Sequence, residues 1–461
     1  MKIAVILAAG AGTRMKSGKS KVLHEIMNKP MIEYIVEAAK EAGTQKNIII
    51  AGENKEDLME HFKSEDLIYK IQDITDKAHY GTGYAVGLAS DEICDEDEVL
   101  ILLGDTPLLT GKTLKSFFDF HEKENESAGV LTFETHDPTG YGRAVKDEFG
   151  QLVKIVEEKD ATEEEKKITE LNSGVFIFKG KDLKSSLGKI TTDNAKNEYY
   201  LTDAVKILNA ENKKVKTFKV SDSEEFYGVN SKLQLAEAEN IMRRRINENF
   251  MISGVILRNP ENIFIDSDVK IGKDTIIESG AVITGNTEIG ENSHIMGDSR
   301  ISNCKIGSNV VIKSSYLENS TVEDNVDIGP YSHLRPGSHL KEKVHIGNFV
   351  EVKNSTLGEK TKAGHLAYIG DADLGSEINV GCGVIFVNYD GEKKHRTNVG
   401  NKSFIGSNSN MVAPVTIGEE SFIAAGSTIT RDVGAGDLAI GRSRQENKPG
   451  WVKKNKEKNG R

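Results

Sequence analysis

Residues 265–301 read IDSDVKIGKDTIIESGAVITGNTEIGENSHIMGDSRI, with Ile265, Ile271, Ile277, Ile283, Ile289, Ile295 and Ile301 at every sixth position. An α-helix repeats its faces every ~3.6 residues and a strand every ~2, so a period of six belongs to neither. A six-residue unit cannot bury its own aliphatic side chain. Stacking the units into a parallel β-helix buries them all in columns, and three units close one triangular coil. The register resumes at Val399, Ile405, Met411, Ile417, Ile423 and Ile429. Between the two runs it persists, with one-residue slips, through Ile306, Ile312, Leu317, Val322, Ile328, Leu334, Leu340, Ile346 and Val352.

Upstream the rules differ. To about residue 230, short apolar runs (Ile3–Leu7, Asn47–Ala51, Val99–Leu103, Val175–Phe178) alternate with amphipathic segments such as Met31–Ala42 and Lys112–Glu124. That alternation predicts an α/β domain with a Rossmann-like, mainly parallel sheet. Leu233–Asn249 holds strong helix formers without Gly or Pro, and carries Arg243, Arg244 and Arg245; it reads as a solvated connecting helix. The expected division is therefore 1–232, a helical linker over 233–253, and a β-helix over 254–461.

Length and composition agree with more than one domain. The 461 residues exceed one ordinary core, and 60 basic against 71 acidic side chains give a net charge of −11. That field argues against a nucleic-acid partner. Cys94, Cys304 and Cys382 are too few and too scattered for a disulfide scaffold or a zinc ribbon, and they fit a reducing cytoplasm. The start, Lys2 to Ala11, could pass for a signal peptide, but its apolar run is short. No stretch approaches the ~20 apolar residues of a membrane span. The sequence predicts a soluble cytoplasmic protein.

The first strand runs into Leu7-Ala8-Ala9-Gly10-Ala11-Gly12-Thr13-Arg14-Met15. Glycines after a strand bring backbone N–H groups against phosphate oxygens. A dinucleotide fingerprint would need Gly where Met15 stands, and a Walker loop ending at Gly18-Lys19-Ser20 would need Gly in place of Thr13. The run with Lys21 seven residues after Arg14 resembles the sugar-1-phosphate nucleotidyltransferase loop. Asp105, in Gly104-Asp105, ends a buried aliphatic run, where open α/β sheets bind ligands; a turn aspartate is the bland alternative. The resemblance makes Asp105 and Asn230 ligands of Mg²⁺, an ion that typically takes few protein ligands. It also assigns Arg14 and Lys21 to catalysis. It implies nucleotide contacts from Leu7, Ala8, Ala9, Gly10, Lys21, Gln72, Gly81 and Thr82, and sugar contacts from Gly142, Glu157, Asn172 and Asn230. Tyr84 and Tyr227 depart from residues common in the family.

The repeats resemble those of hexapeptide-repeat acyltransferases, which implies a left-handed β-helix, an exception to the right-handed crossover rule. The acetyltransferase motifs are Leu334-Arg335-Pro336-Gly337, Gly347 to Lys353, Lys362 to Tyr368 and Asn388 to Gly391. By that resemblance His365 is a general base, suited by an imidazole pKa near operating pH. Arg335, Lys353, Tyr368 and Asn379 would hold the acceptor, and Cys382, Asn388, Tyr389, Ser407, Ala425 and Arg442 would hold acetyl-CoA. Arg335 and Lys353 stand 18 positions apart, each directly after an aliphatic repeat residue, so they should share one corner of adjacent coils. They either splay into water or converge on an anion.

Together the two motif sets resemble a family of bacterial bifunctional enzymes. Its members acetylate glucosamine-1-phosphate with acetyl-CoA, then uridylylate N-acetylglucosamine-1-phosphate with UTP. The resemblance also implies a homotrimer whose acetyl-CoA sites are completed by a neighbouring chain. Another nucleotidyltransferase with a β-helix, such as an ADP-glucose synthase, would leave Arg335, Lys353 and His365 unexplained. A scaffold subunit like those of translation-initiation exchange factors would leave Arg14, Lys21 and Asp105 unexplained.

Overall fold

The computed structural model describes residues 1–458 apart from 11, 54, 64, 65, 74, 77 and 78, so Ala11 of the glycine loop lies outside the described residues. The chain divides into two compact units, Met1–Met242 and Arg243–Arg461. The helix Lys232–Ile252 contains the boundary.

In the first unit, the strand Lys2–Leu7 lies between Lys46–Ala51 and Glu98–Leu103, parallel to both. Ile3 to Ile6 are fully buried, because side chains cover both faces of the sheet. Ala4 and Ile6 pack on one face with Ile35 and Phe117. Ile3 and Val5 pack on the other with Val86 and Leu208. The short apolar run near the start is therefore part of the core. Ile68–Ile71 extends the parallel set beyond Lys46–Ala51.

Along the main strand order, one strand breaks the parallel pattern. Leu171–Lys179 runs antiparallel between Glu98–Leu103 and Ala128–Phe133. The excursion through the paired strands Gly142–Lys146 and Leu152–Val156 brings the chain back in that direction. The expected helices form at Met31–Glu41 and Gly111–Glu124. The second is capped by Thr110, whose Oγ1 accepts from the Thr113 N–H at 3.2 Å. From Lys2–Leu7 the sheet order continues to Lys46–Ala51 on one side and to Glu98–Leu103 on the other. This is a topological switch point, and crevices at the carboxyl ends of such strands bind ligands.

The second unit is a parallel β-helix of three sheets, which hold eleven, ten and nine strands among the described residues. The repeat residues stack in register: Ile265 on Ile283, Ile301, Leu317, Leu334, Val352 and Ile369. All seven are essentially inaccessible, and burying one such side chain contributes about 1.5–3 kcal/mol. The one-residue slips shorten corners without moving the columns. Many corners adopt a left-handed backbone at Asn or Asp, including Asn292, Asp298, Asn309 and Asn325. These residues tolerate that conformation better than branched ones. Buried serines close the turns; Ser332 Oγ donates to the Gly347 carbonyl at 2.7 Å.

The columns also continue through a stretch where the sequence pattern is obscure, as Leu357, Ala363, Ile369, Leu374, Val380 and Phe386. Leu374 then pairs with Val399, so the intervening coil is longer than its neighbours. The extra residues form an excursion that contains Tyr389 and Lys394, which pair in an isolated bridge. In the connecting helix, Arg243 stacks on Phe264 at 4.7 Å and Arg244 lies 4.0 Å from Glu248.

Candidate active sites

In the first unit a cavity of about 250 Å³ opens where the parallel strands end. Its wall includes Leu7, Ala8, Ala9, Gly10, Lys21, Gln72, Gly81, Thr82 and Asp105, all singled out from the sequence. The Ala8 N–H donates to the Ile50 carbonyl at 2.9 Å, which holds the loop on the neighbouring strand. A Cβ at Gly10 would meet nothing within 4 Å, so this backbone is open to a ligand. Gly12 is left-handed at φ +57, and a Cβ there would lie 2.8 Å from the Lys21 Cβ. Glycine thus lets the loop close on the lysine stem. Gly81, at φ +122, would put a Cβ 2.4 Å from the Tyr199 carbonyl oxygen.

Lys21 is the hub of this site. Its Nζ donates to Asp105 Oδ2 at 2.5 Å and to Asn230 Oδ1 at 3.1 Å. The Val229 N–H donates to the Asp105 carbonyl at 2.9 Å and ties the Gly228-Val229-Asn230 turn to the strand end. Two hard oxygens, one anionic and one neutral, therefore face a single cation, which is the donor chemistry that Mg²⁺ accepts. Among the described residues no group of three or more His, Cys, Asp or Glu could hold a metal.

Arg14 stands exposed in the short turn Thr13–Met15, outside the cavity wall. Gly142 and Asn172 pair across adjacent antiparallel strands. Glu157 follows the next strand, where Thr202 Oγ1 donates to it at 3.4 Å and burial raises its carboxyl pKa. These three residues are not in the cavity wall either. The strand that carries Asn172 passes beside it: a Cβ at Gly174, two residues on, would lie 2.7 Å from Leu103, which does line it. Tyr80 and Glu198 line the cavity and were not foreseen. They arrive through a contact distant in sequence, the Tyr199 N–H donating to the Tyr80 carbonyl at 2.9 Å.

In the second unit the expected residues sort into two corner columns. The first column holds Asn348 and, one coil on, His365, which pair in register. His365 is exposed, and its Nδ1 lies 2.7 Å from Asn348 Oδ1. Cys382, Ser407 and Ala425 continue along the same corner. The Gly383 N–H donates to the Leu366 carbonyl, the Asn408 N–H to the Cys382 carbonyl, and the Gly426 N–H to the Ser407 carbonyl. Arg442 follows, its Cδ 3.5 Å from where a Gly426 Cβ would be.

The second column holds Arg335 and Lys353, and the Arg335 N–H donates to the Val352 carbonyl at 2.8 Å. The shared corner on adjacent coils is therefore present. Each cation has its own carboxylate. Arg335 Nη1 lies 2.9 Å from Glu351 Oε1, and Lys353 Nζ lies 3.1 Å from Asp371 Oδ2. Lys394 comes from the excursion, and Lys353 beside it pulls the Lys394 ammonium below the usual lysine range. Tyr368 lies on the strand between the columns, and its hydroxyl receives Asn388 Nδ2 at 3.3 Å. Tyr389 is exposed, its hydroxyl donating to the Gly391 carbonyl. Asn379 lies apart from this cluster, on another sheet, stacked between Lys362 and Phe404. Glu351, Asp371 and Lys394 went unrecognised as site groups, because single charged residues ordinarily read as solvated in a sequence.

Comparisons with known proteins agree with both halves. The Nucleotidyl transferase family matches residues 3–225, and the Bacterial transferase hexapeptide (six repeats) family matches residues 396–431. The chain is 47% identical over 455 residues to "Bifunctional protein GlmU" of Clostridioides difficile (strain 630), covering 99% of this chain and 98% of that protein. It is 48% identical over 450 residues to the protein of the same name from Caldanaerobacter subterraneus subsp. tengcongensis, covering 98% and 97%. The corresponding Listeria innocua protein is 45% identical over 453 residues, covering 98% of each chain. Similarity of this extent runs through both units, and the chain belongs to the bifunctional GlmU family.

Proposed function

We propose that this chain makes UDP-N-acetylglucosamine in two steps, one in each unit. The β-helix, over 254–461, transfers the acetyl group of acetyl-CoA to the amine of glucosamine-1-phosphate. The α/β domain, over 1–232, transfers uridylyl from UTP to N-acetylglucosamine-1-phosphate and releases pyrophosphate, with 233–253 as the linker. One observation carries this reading: each unit has its own cation cluster opposed by oxygen donors, Lys21 with Asp105 and Asn230 in one, Arg335 and Lys353 with Glu351 and Asp371 in the other.

In uridylyl transfer the sugar phosphate oxygen attacks the α-phosphorus of UTP. Positioning and charge neutralisation do most of the work. The Lys21 ammonium and the open backbone at Gly10 receive phosphate oxygens, and Arg14 approaches them from its turn. Asp105 and Asn230 would hold Mg²⁺, which supplies further neutralisation of phosphate charge when bound. Gln72, Gly81 and Thr82 receive the nucleotide; Gly142, Glu157 and Asn172 receive the sugar.

In acetyl transfer the amine attacks the thioester carbonyl, a C–N bond forms, and CoA leaves as its thiolate. His365 takes the amine proton. Arg335, Lys353 and Tyr368 hold the acceptor. The corner of Cys382, Ser407, Ala425 and Arg442 holds acetyl-CoA with Asn388 and Tyr389.

The working assembly is a homotrimer of side-by-side β-helices, in the cytoplasm where UTP and acetyl-CoA are found. Supporting it, Phe404 and Phe422 stack 4.6 Å apart on one sheet's outer face, in register with Leu438, which is 61% exposed. Such patches mark association surfaces. A monomeric mass at micromolar concentration with full acetyl transfer would overturn the trimer.

Incubation with glucosamine-1-phosphate, acetyl-CoA, UTP and Mg²⁺ tests the whole reading. Free CoA, pyrophosphate and UDP-N-acetylglucosamine are expected. Failure to form N-acetylglucosamine-1-phosphate, or to consume UTP when that compound is added, would remove the corresponding half.

A further inference from the structure

Asp371 sits in the corner between the strands Tyr368–Gly370 and Ala372–Leu374, its side chain only 9% exposed. Its Oδ2 accepts from Lys353 Nζ at 3.1 Å and from Asn388 Nδ2 at 2.5 Å, and its Oδ1 accepts from Asn354 Nδ2 at 2.5 Å. The backbone does not explain the choice of aspartate. At φ +49 this corner is left-handed, and asparagine occupies many corners of that kind in the same β-helix. An asparagine here would turn its own NH₂ toward at least one of three groups that are themselves donors. With both amides oriented as they are, only a side chain made wholly of acceptors satisfies all three. Burial raises the carboxyl pKa, but the hydrogen bonds from Asn354, Lys353 and Asn388 outweigh it and hold the group ionised.

We propose that Asp371 is a positioning residue for acetyl transfer, locking the acceptor-side ammonium of Lys353 and the acetyl-CoA-side amide of Asn388 in one fixed relation. This rests on the roles of Lys353 and Asn388 given above. Lys353 comes from the preceding coil, and Asn388 from the start of the excursion. Neither has another carboxylate within hydrogen-bond reach among the described residues. Asp371 acts through these partners: its Oδ2 holds Lys353 and Asn388 together, and its Oδ1 is held by Asn354. Its effect travels through side chains, so it should disappear when those side chains are removed.

Steady-state kinetics of acetyl transfer by the full chain, with Asp371→Asn alone and in Lys353→Ala and Asn388→Ala backgrounds, tests this. Asp371→Asn should raise the KM for glucosamine-1-phosphate and for acetyl-CoA by about tenfold each, the scale of a lost charged hydrogen bond. With Lys353→Ala already present, it should change the acceptor KM less than about twofold. With Asn388→Ala present, the same should hold for acetyl-CoA. Uridylyl transfer should be unchanged throughout. Unchanged KM values, or the same fold-loss in every background, would overturn the proposal while leaving the two-step function standing. A parent chain without acetyl transfer would overturn both. If Asp371→Asn does not fold, Lys353→Met and Asn388→Ala read the same link with the carboxylate intact. Their combined loss should fall well short of the product of the single losses, and simple multiplication would refute the coupling.

Discussion

His365 Nδ1 lies 2.7 Å from Oδ1 of Asn348, the residue stacked one coil away at the same corner. A carbonyl oxygen only accepts, so this contact puts the ring hydrogen on Nδ1 and leaves the lone pair on Nε2. Asn348 therefore selects the tautomer that can take a proton from an amine. Asn348→Ala should lower kcat for acetyl transfer ~3–10-fold, the value of one neutral hydrogen bond. His365→Ala should lower it ~10²–10⁴-fold. Equal losses in the two variants, measured by release of free CoA, would show that Asn348 does more than orient the ring.

The two reactions should separate cleanly, because the Lys21 cluster and the His365 corner belong to different units. Asp105→Ala removes the charged partner of Lys21 and one of the two oxygens that face it. It should abolish uridylyl transfer and leave acetylation intact. His365→Ala should do the reverse. Pyrophosphate and CoA release, assayed in parallel on each variant, report both outcomes. Loss of both reactions in a still-folded variant would contradict separate sites.

The columns of the β-helix were legible because a strict six-residue period has few physical realisations. Where Ala363 replaces a large aliphatic residue, the pattern fades although the coil continues. The excursion that carries Lys394 left no periodic signal. In the α/β unit the glycine loop, Lys21 and Asp105 were readable, since strand ends and glycine turns are local features. The antiparallel strand Leu171–Lys179 was not, because strand direction is set by distant pairing with Glu98–Leu103 and Ala128–Phe133. Glu198 shows the same limit: a backbone bond between Tyr199 and Tyr80 brings it to the cavity, and no motif announces that bond. Carboxylates such as Asp371 become meaningful only once the coils are stacked.

His121 gives the first unit a specific sensitivity to acid. The ring is 1% exposed on the helix Gly111–Glu124, and neither ring nitrogen has a hydrogen-bond partner among the described residues. Burial, aided by Lys179, lowers its pKa to about 4, with Glu122 opposing. Between pH 4 and 6.5 the unfolded chain therefore binds a proton that the folded unit refuses. The stabilisation is present above about pH 6.5, is lost as pH falls toward 4, and amounts at most to about 3 kcal/mol. Replacing the ring by phenyl, His121→Phe, should flatten that part of the curve. Calorimetric melting of the full chain at pH 7.5, 6 and 5 should show a smaller fall in Tm for the variant; parallel falls would assign the acid loss to other groups.

Arg335 and Lys353 share a corner but not an environment. The Arg335 and Glu351 side chains remain 43% and 38% exposed, whereas those of Lys353 and Asp371 are 16% and 9% exposed. If both cations receive the phosphate of glucosamine-1-phosphate, removing either should weaken acceptor binding by ~1.5–3 kcal/mol, and Arg335→Ala should leave acetyl-CoA affinity nearly unchanged. The surroundings separate the two variants in a second respect. Arg335→Ala leaves Glu351 free to turn into water, so stability should scarcely change. Lys353→Ala strands the buried Asp371 carboxylate with only amide donors, and breaking such a pair costs about 3–5 kcal/mol when burial is complete. The β-helix of Lys353→Ala should therefore melt earlier than that of Arg335→Ala, although both lose acceptor affinity. Acceptor KM and Tm measured on the same two preparations decide the matter. An unchanged acceptor KM and kcat/KM in both variants would remove the phosphate from this corner. Equal Tm values with raised KM would keep the phosphate there and show that Asp371 finds a new partner when Lys353 is gone.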